Sequence, residues 1–126
     1  MAQTRTRPLP WTTLAAVSTV AVFVPSGAWE SAAGVTGARA SGEMRGKNGN
    51  AQAQPAVQVA NDQRSPGAAT GIGSTMTNDG VTDPVNPSTS LSTDGVKYLR
   101  TGWLVSLISG SNLATASVAG VIELLY

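Results

Sequence analysis

The sequence contains no cysteine and no histidine. Without cysteine there is no disulfide, no thiol nucleophile and no thiolate-bound zinc. Without histidine the commonest general base and the commonest metal ligand are both missing. Charge is scarce: Asp, Glu, Lys and Arg together make up 12% of the chain, about half the usual share for a soluble domain. Eight Lys and Arg against seven Asp and Glu leave a net charge of +1, and the most basic stretch is the spaced pair Arg5 and Arg7. A nucleic-acid footprint needs a clustered basic face, so nucleic acid is not an expected partner. The longest apolar run, Trp11 to Val24, falls short of the roughly 20 residues that span a bilayer as a helix, and no membrane span is expected.

What remains is Gly, Ala, Ser, Thr, Val, Asn and Pro. The apolar 41% includes a single Phe and two Tyr, so any core is thin. β-Branched side chains fit a pleated surface and small polar residues make turns, so this composition favours strands. At 126 residues the chain holds one domain with one modest core. The carboxylates Glu30, Glu43, Asp62, Asp79, Asp83, Asp94 and Glu123 stand at no spacing that pairs two of them locally. With no nucleophile and base, no paired acids and no ligand set, neither enzymatic activity nor a cofactor is expected.

The N-terminal residues 1–10 (MAQTRTRPLP) read as a polar, Pro-containing arm, and residues 11–126 as a single β domain. Trp11–Val24 (WTTLAAVSTVAVFV) has two readings. As a strand it is apolar on both faces and suits a central position covered on both sides. As the core of a secretory signal it is preceded by Arg5 and Arg7 and followed by Pro25-Ser26-Gly27-Ala28, with residues 1–28 removed; its Thr and Ser content favours the strand.

Arg39, Ser41, Glu43 and Arg45 share one parity and Ala40, Gly42 and Met44 the other, which predicts an exposed strand. Asn48-Gly49-Asn50 reads as a hairpin turn. Ala51–Ala60 (AQAQPAVQVA) sets Gln52, Gln54 and Gln58 on one face and Ala51, Ala53, Val57 and Val59 on the other, a half-buried strand that Pro55 places at an edge or bulge. Residues 61–95 are rich in turn signals, at Ser65-Pro66-Gly67, Asn78-Asp79-Gly80, Asp83-Pro84, Asn86-Pro87 and Asp94-Gly95, with one short strand near Gly71–Thr77. A loop-rich segment of that length is usually functional, and this one is the expected contact surface.

The C-terminus carries the clearest pattern. Leu99, Thr101, Trp103, Val105 and Leu107 form one apolar face; Ala114, Ala116, Val118, Gly120, Ile122 and Leu124 form another. With Ser109-Gly110-Ser111-Asn112 as the loop, pairing Ile108 with Leu113 puts both faces on the same side, and the expected element is a β-hairpin. On that pattern Trp103 is core.

Seven residues are candidates for contacting a partner: Arg5, Arg7, Trp11, Trp29, Asn78, Asp79 and Asp83. The arginines sit on the arm, and Trp11 and Trp29 flank the first strand, where tryptophan can anchor an interface. Asn78, Asp79 and Asp83 offer oxygens of the kind calcium prefers, but they lack the EF-hand pattern, and the simpler reading is a turn built on Asx-Gly. Gly71-Ile72-Gly73-Ser74-Thr75 lacks the Lys-Ser/Thr ending of a phosphate loop. Asn86-Pro87-Ser88 carries the proline that blocks glycosylation.

The final stretch KYLRTGWLVSLISGSNLATASVAGVIELLY, together with AQAQPAVQVAND, resembles small β-sandwich virion proteins of tailed bacteriophages, of the minor capsid or decoration type. The resemblance implies an antiparallel β-sandwich or jelly-roll-like subunit with a flexible arm, located in the virion. Such a subunit joins other copies of itself and a capsid protein into a symmetric assembly. The rival reading is a secreted or cell-surface module that binds carbohydrate or protein and begins near Ala28. Mass spectrometry of the mature N-terminus separates the two: the virion subunit is expected to keep residues near Met1, the secreted module to start near Trp29.

Overall fold

The computed structural model describes residues 3–81, 88–91 and 96–126. Ten strands run through them: β1 (Thr4–Ala16), β2 (Val22–Pro25), β3 (Glu30–Ser31), β4 (Gly37–Asn48), β5 (Ala51–Ala60), β6 (Ala69–Gly71), β7 (Gly80–Val81), β8 (Thr89–Ser90), β9 (Tyr98–Leu107) and β10 (Ala114–Leu125). No helix among the described residues is long and apolar enough to cross a membrane. One sheet has the order β1-β10-β4-β7, with β8 also on β4; the other has the order β2-β9-β5-β6, with β3 also on β9. All these pairings are antiparallel. If β2 with β3, and β7 with β8, each count as one broken edge strand, the sheets read first-eighth-third-sixth and second-seventh-fourth-fifth. That is the jelly-roll arrangement of two four-stranded sheets.

Strand parity sets what each sheet buries. On β4, Ala38, Ala40 and Met44 are buried while Arg39 and Arg45 are exposed. The strand is flanked on both sides, by β10 and by β7 and β8, so it is a half-buried inner strand and not an exposed one. β5 matches the expected Ala51–Ala60 residue for residue. Pro55 lies where the outer partner of β5 is interrupted: β6 covers Ala56 to Gln58, and Met76 exchanges backbone hydrogen bonds with Ala53. The carbonyl of Pro55 accepts from Ile72 N at 2.7 Å, and its missing donor leaves no gap in a continuous ladder.

Three further sequence expectations change. Residues 4–10 are not an arm outside the sheet: they form the first half of β1, paired with β10 from Thr4↔Leu125 to Leu9↔Gly120, and Leu9 is fully buried. The run Trp11–Val24 is not one central strand. β1 ends at Ala16, Ser18 Oγ accepts from Val20 N in a tight turn, and the chain re-enters as β2 in the opposite sheet. Both pieces are edge strands, each paired with a single neighbour. Residues 9, 14 and 16 lie in the core, so removing residues 1–28 would strip an edge from both sheets.

The third change is the C-terminal hairpin. β9 and β10 have the expected bounds to within a residue or so and the expected buried parity, yet they lie in different sheets. Residues 108–113 carry the chain across the sandwich, and the two apolar faces meet face to face instead of side by side. Parity cannot tell these apart, because both arrangements turn the same alternate residues toward one core. The Asn48-Gly49-Asn50 turn behaves in the same way. Gly49 takes a positive φ of 75°, and the turn passes from β4 in one sheet to β5 in the other.

The core is thin, as composition requires: ten of its buried members are alanines, at 16, 32, 38, 40, 51, 53, 56, 60, 114 and 116. Trp103, on β9, fills its centre with no exposed surface. Its space comes from Gly42 on the facing sheet, where a Cβ would stand 3.4 Å from Trp103 Cη2 and 3.1 Å from Met76 Cε. On the outer side of β9, a Cβ at Gly102 would lie 2.2 Å from the Val24 carbonyl oxygen, so β2 can pack there only over a glycine.

The indole Nε1 of Trp103 is buried with no hydrogen-bond partner among the described residues, and an unmade buried donor costs about 1–3 kcal/mol. Trp103→Phe removes that donor together with some packing volume. It is therefore expected to lose only about 1–2 kcal/mol, against about 3–5 kcal/mol for Trp103→Ala, as measured by denaturant unfolding. A loss for Trp103→Phe of about 3 kcal/mol or more would show that relief of the buried N–H offsets none of the lost packing.

Candidate functional site

The jelly-roll connections place the loops of residues 17–21, 49–50, 72–79 and 108–113 at one end of the sandwich. Backbone bonds clip three of them together: Leu107 N donates to Ser18 O at 2.8 Å and Ile108 N to Asn50 O at 2.7 Å. On this end Val17, Val20, Val22, Ile108 and Leu113 are exposed by 66, 71, 57, 44 and 65%. They account for five of the seven large apolar side chains exposed among the described residues, the other two being Trp11 and Val81. A shallow hollow of about 170 Å³ opens between the sheets here, lined by Val17, Val20, Val22, Val24 and Val105. On its β4–β7 side the same end is polar: Lys47 Nζ donates to Thr77 O, and Asp79 accepts from Gly46 N at 3.1 Å and Lys47 N at 2.9 Å. Exposed apolar side chains gathered in this way are characteristic of protein contact surfaces.

The sequence candidates do not converge on this end. Arg7 on β1 makes a two-pronged ion pair with Glu30 on β3, with Nη2 to Oε1 at 2.7 Å and Nε to Oε2 at 2.8 Å. It thereby bolts the edge of one sheet to the edge of the other. The hydrogen bonds to Glu30 raise the Arg7 pKa above its ordinary value, and the attraction to Glu30 adds to that against partial burial. Arg5 lies over the Tyr126 ring, 5.1 Å from its centroid. Trp29 stacks on Arg100, whose guanidinium is 4.3 Å from the Trp29 centroid and 5.7 Å from that of Phe23, with Nε bonded to Gln58 Oε1 at 2.9 Å. Asp79 spends both oxygens on the backbone amides of Gly46 and Lys47 in β4, a tie between distant segments and not the local Asx turn the sequence suggests. Asn78 is exposed beside it. Asp83 lies outside the described residues, as do the turn signals at Asp83-Pro84, Asn86-Pro87 and Asp94-Gly95.

Trp11 keeps an open face. The β1–β10 register slips between Leu9 and Thr12, and this bulge turns Trp11 outward, 54% exposed. It borders a groove of about 260 Å³ with Glu43, Val81, Ala119, Gly120 and Val121.

Comparison with known structures adds the fold's relatives. Two solved viral chains share it. A chain from the structure of the infectious bursal disease virus Gx strain superposes with a TM-score of 0.59 at 9% identity, over 99% of this chain and 33% of that one. A chain of the infectious bursal disease virus VP2 subviral particle superposes with a TM-score of 0.57 at 9% identity, over 98% of this chain and 32% of that one. The protein thus spans about a third of the length of the viral chains it matches. No protein-family model matches the sequence, and no curated protein does.

Sequence reasoning missed the apolar end because Val17, Val20 and Val22 were absorbed into a strand, and Ile108 and Leu113 into the hairpin. A signal was present: no charged residue lies between Arg7 and Glu30 or between Arg100 and Glu123, and these two stretches supply the apolar loops.

The Arg7–Glu30 pair is partly exposed, with 31% and 24% of the side chains accessible, so solvent screening holds its worth to about 1 kcal/mol or less. A double-mutant cycle of Arg7→Gln and Glu30→Gln is expected to give a coupling of about 0.5–1 kcal/mol that shrinks in 1 M salt. A coupling of zero would leave β3 held by its backbone pairing to β9 alone.

Proposed function

We propose that this chain is a non-enzymatic structural subunit of a viral particle that joins other copies of itself through the apolar end of its jelly roll. The observation that carries the proposal is the gathering of Val17, Val20, Ile108 and Leu113 on two loops that contain no charge, with Val22 beside them at the start of β2. Monomeric proteins leave large contiguous apolar patches uncovered only rarely. A core built so largely on alanine buries little surface per residue, and association adds stability to such a fold by mass action. The shared jelly roll supports the setting, since the two solved chains described above are viral.

The described carboxylates support the non-enzymatic part. Glu30, Glu43 and Glu123 are paired with Arg7, Arg45 and Arg39. Asp79 and Asp62 accept backbone amides. Each described acid therefore has a structural occupation, and none is left facing another across a cleft. In the finer form of the proposal, the chain is a small decoration or minor capsid protein of a tailed-phage-type virion, and the exposed face of Trp11 adds a contact to a larger capsid protein.

Light scattering tests it. The wild-type chain at micromolar concentration is expected to give a discrete multiple of 12.8 kDa. The Val20→Asp/Leu113→Asp variant, altered only at exposed positions, is expected to give the single-chain mass with an unchanged far-UV spectrum. A wild-type monomer, or a variant that assembles as before, would sink the proposal.

A further inference from the structure

The six cations other than Arg64 and Lys97 are held within the protein. Arg7, Arg39 and Arg45 face carboxylates, Arg5 and Arg100 lie on aromatic rings, and Lys47 is bonded to the Thr77 carbonyl. Arg64 and Lys97 have no side-chain partner among the described residues, and both line the same concavity. That concavity has a volume of about 550 Å³ and is completed by Asn61, Asp62, Gln63 and Tyr98. It lies at the end of the sandwich opposite the apolar loops. β5 starts opposite Leu107 and ends opposite Tyr98, so the two sites are about 30 Å apart at roughly 3.3 Å per residue.

The walls are held in place by backbone. Asp62 Oδ1 accepts from Arg64 N at 2.9 Å and Asp62 O from Ser65 N at 3.0 Å, which fixes the turn that carries Arg64. Lys97 is tied on both sides, its N donating to Ala60 O at 3.3 Å and its O accepting from Ala32 N at 3.1 Å. Tyr98 is paired with Ala60 across the sheet.

We infer that this concavity binds an acidic sugar, with the carboxylate between Arg64 and Lys97 and the hydroxyls on Asn61, Gln63, Asp62 and Tyr98. Two cations opposed by one carboxylate favour a singly charged ligand over a doubly charged one. Amide side chains both donate and accept, which matches a ring of hydroxyls, and a tyrosine offers an apolar ring face with a polar tip. The hollow is open to solvent and polar, which suits a hydrated, hydroxyl-rich ligand held weakly, and its volume of about 550 Å³ exceeds what an inorganic anion fills. The inference goes beyond the assembly proposal and does not depend on it. In a particle joined at the apolar end, this end stays free.

Saturation-transfer NMR, which reads the ligand and works on a single chain or a particle alike, tests it with D-glucuronate as the probe. D-Glucose serves as the neutral control and inorganic phosphate as a competitor. Glucuronate is expected to bind saturably in the millimolar range, with glucose at least about ten-fold weaker and phosphate displacing it poorly. Arg64→Gln and Lys97→Gln, both at exposed positions, are each expected to weaken glucuronate about five-fold, the scale of one exposed charge-assisted hydrogen bond. Asp62→Asn keeps an oxygen for the Arg64 amide while removing the opposing charge, and is expected to tighten binding about two- to five-fold. Absence of saturable glucuronate transfer would overturn the inference. So would equal binding of glucose, full displacement by equimolar phosphate, or variants that leave the affinity unchanged. Val20→Asp/Leu113→Asp is expected to bind glucuronate like the wild type, which keeps failure of the assembly proposal distinct from failure of this one.

Discussion

Everything in this fold depends on two apolar sheet faces meeting across a narrow gap with one large side chain between them. Trp103 occupies the centre of that gap, Gly42 makes room for it from the facing sheet, and Met76 closes the side. The surrounding alanines let the sheets approach closely. A core of this kind has little reserve, because packing at interior density leaves no slack for added volume and little area to lose. The fold therefore recruits other ties: the Arg7–Glu30 bridge between sheet edges, the Arg100 stack on Trp29 and Phe23, and the Asp79 carboxylate that binds the end of β4.

The jelly roll also decides where function can sit. Its crossing connections run from sheet to sheet, so they collect at the two ends and leave the sheet faces to regular strands. One end gathers the uncharged loops that follow β1 and β9, and it exposes valine, leucine and isoleucine. The other gathers the turn after β5 and the start of β9, and it exposes Arg64 and Lys97 over a polar hollow. The two ends are chemically opposite, although the chain as a whole carries a net charge of only +1. Edge strands are managed as well. β1 is long and lies at an edge, but Pro8, Pro10 and the bulge before Thr12 interrupt it, which discourages further strand pairing along that edge.

Much of the fold was legible in the sequence. The all-β class followed from composition, β5 from the Gln/Ala alternation, the burial of Trp103 from parity, and the inward set of β9 and β10 from the same period of two. The candidate sites were far less legible. Arg7 and Asp79 were visible as polar residues, but their partners lie 23 and more than 30 positions away. No local pattern encodes such a distance.

The sequence by itself determined which residues alternate, which are too small to fill a core, and where the chain must turn, because these depend on side-chain chemistry and a short-range backbone period. The tertiary structure alone decided that β9 and β10 face each other across the core instead of pairing, that residues 4–10 join a sheet, and that the apolar loops lie at one end while Arg64 and Lys97 lie at the other. The physical reason is that alternation fixes only the side of a strand that is buried. Which strand covers that side is chosen by the whole set of strands competing for the same core.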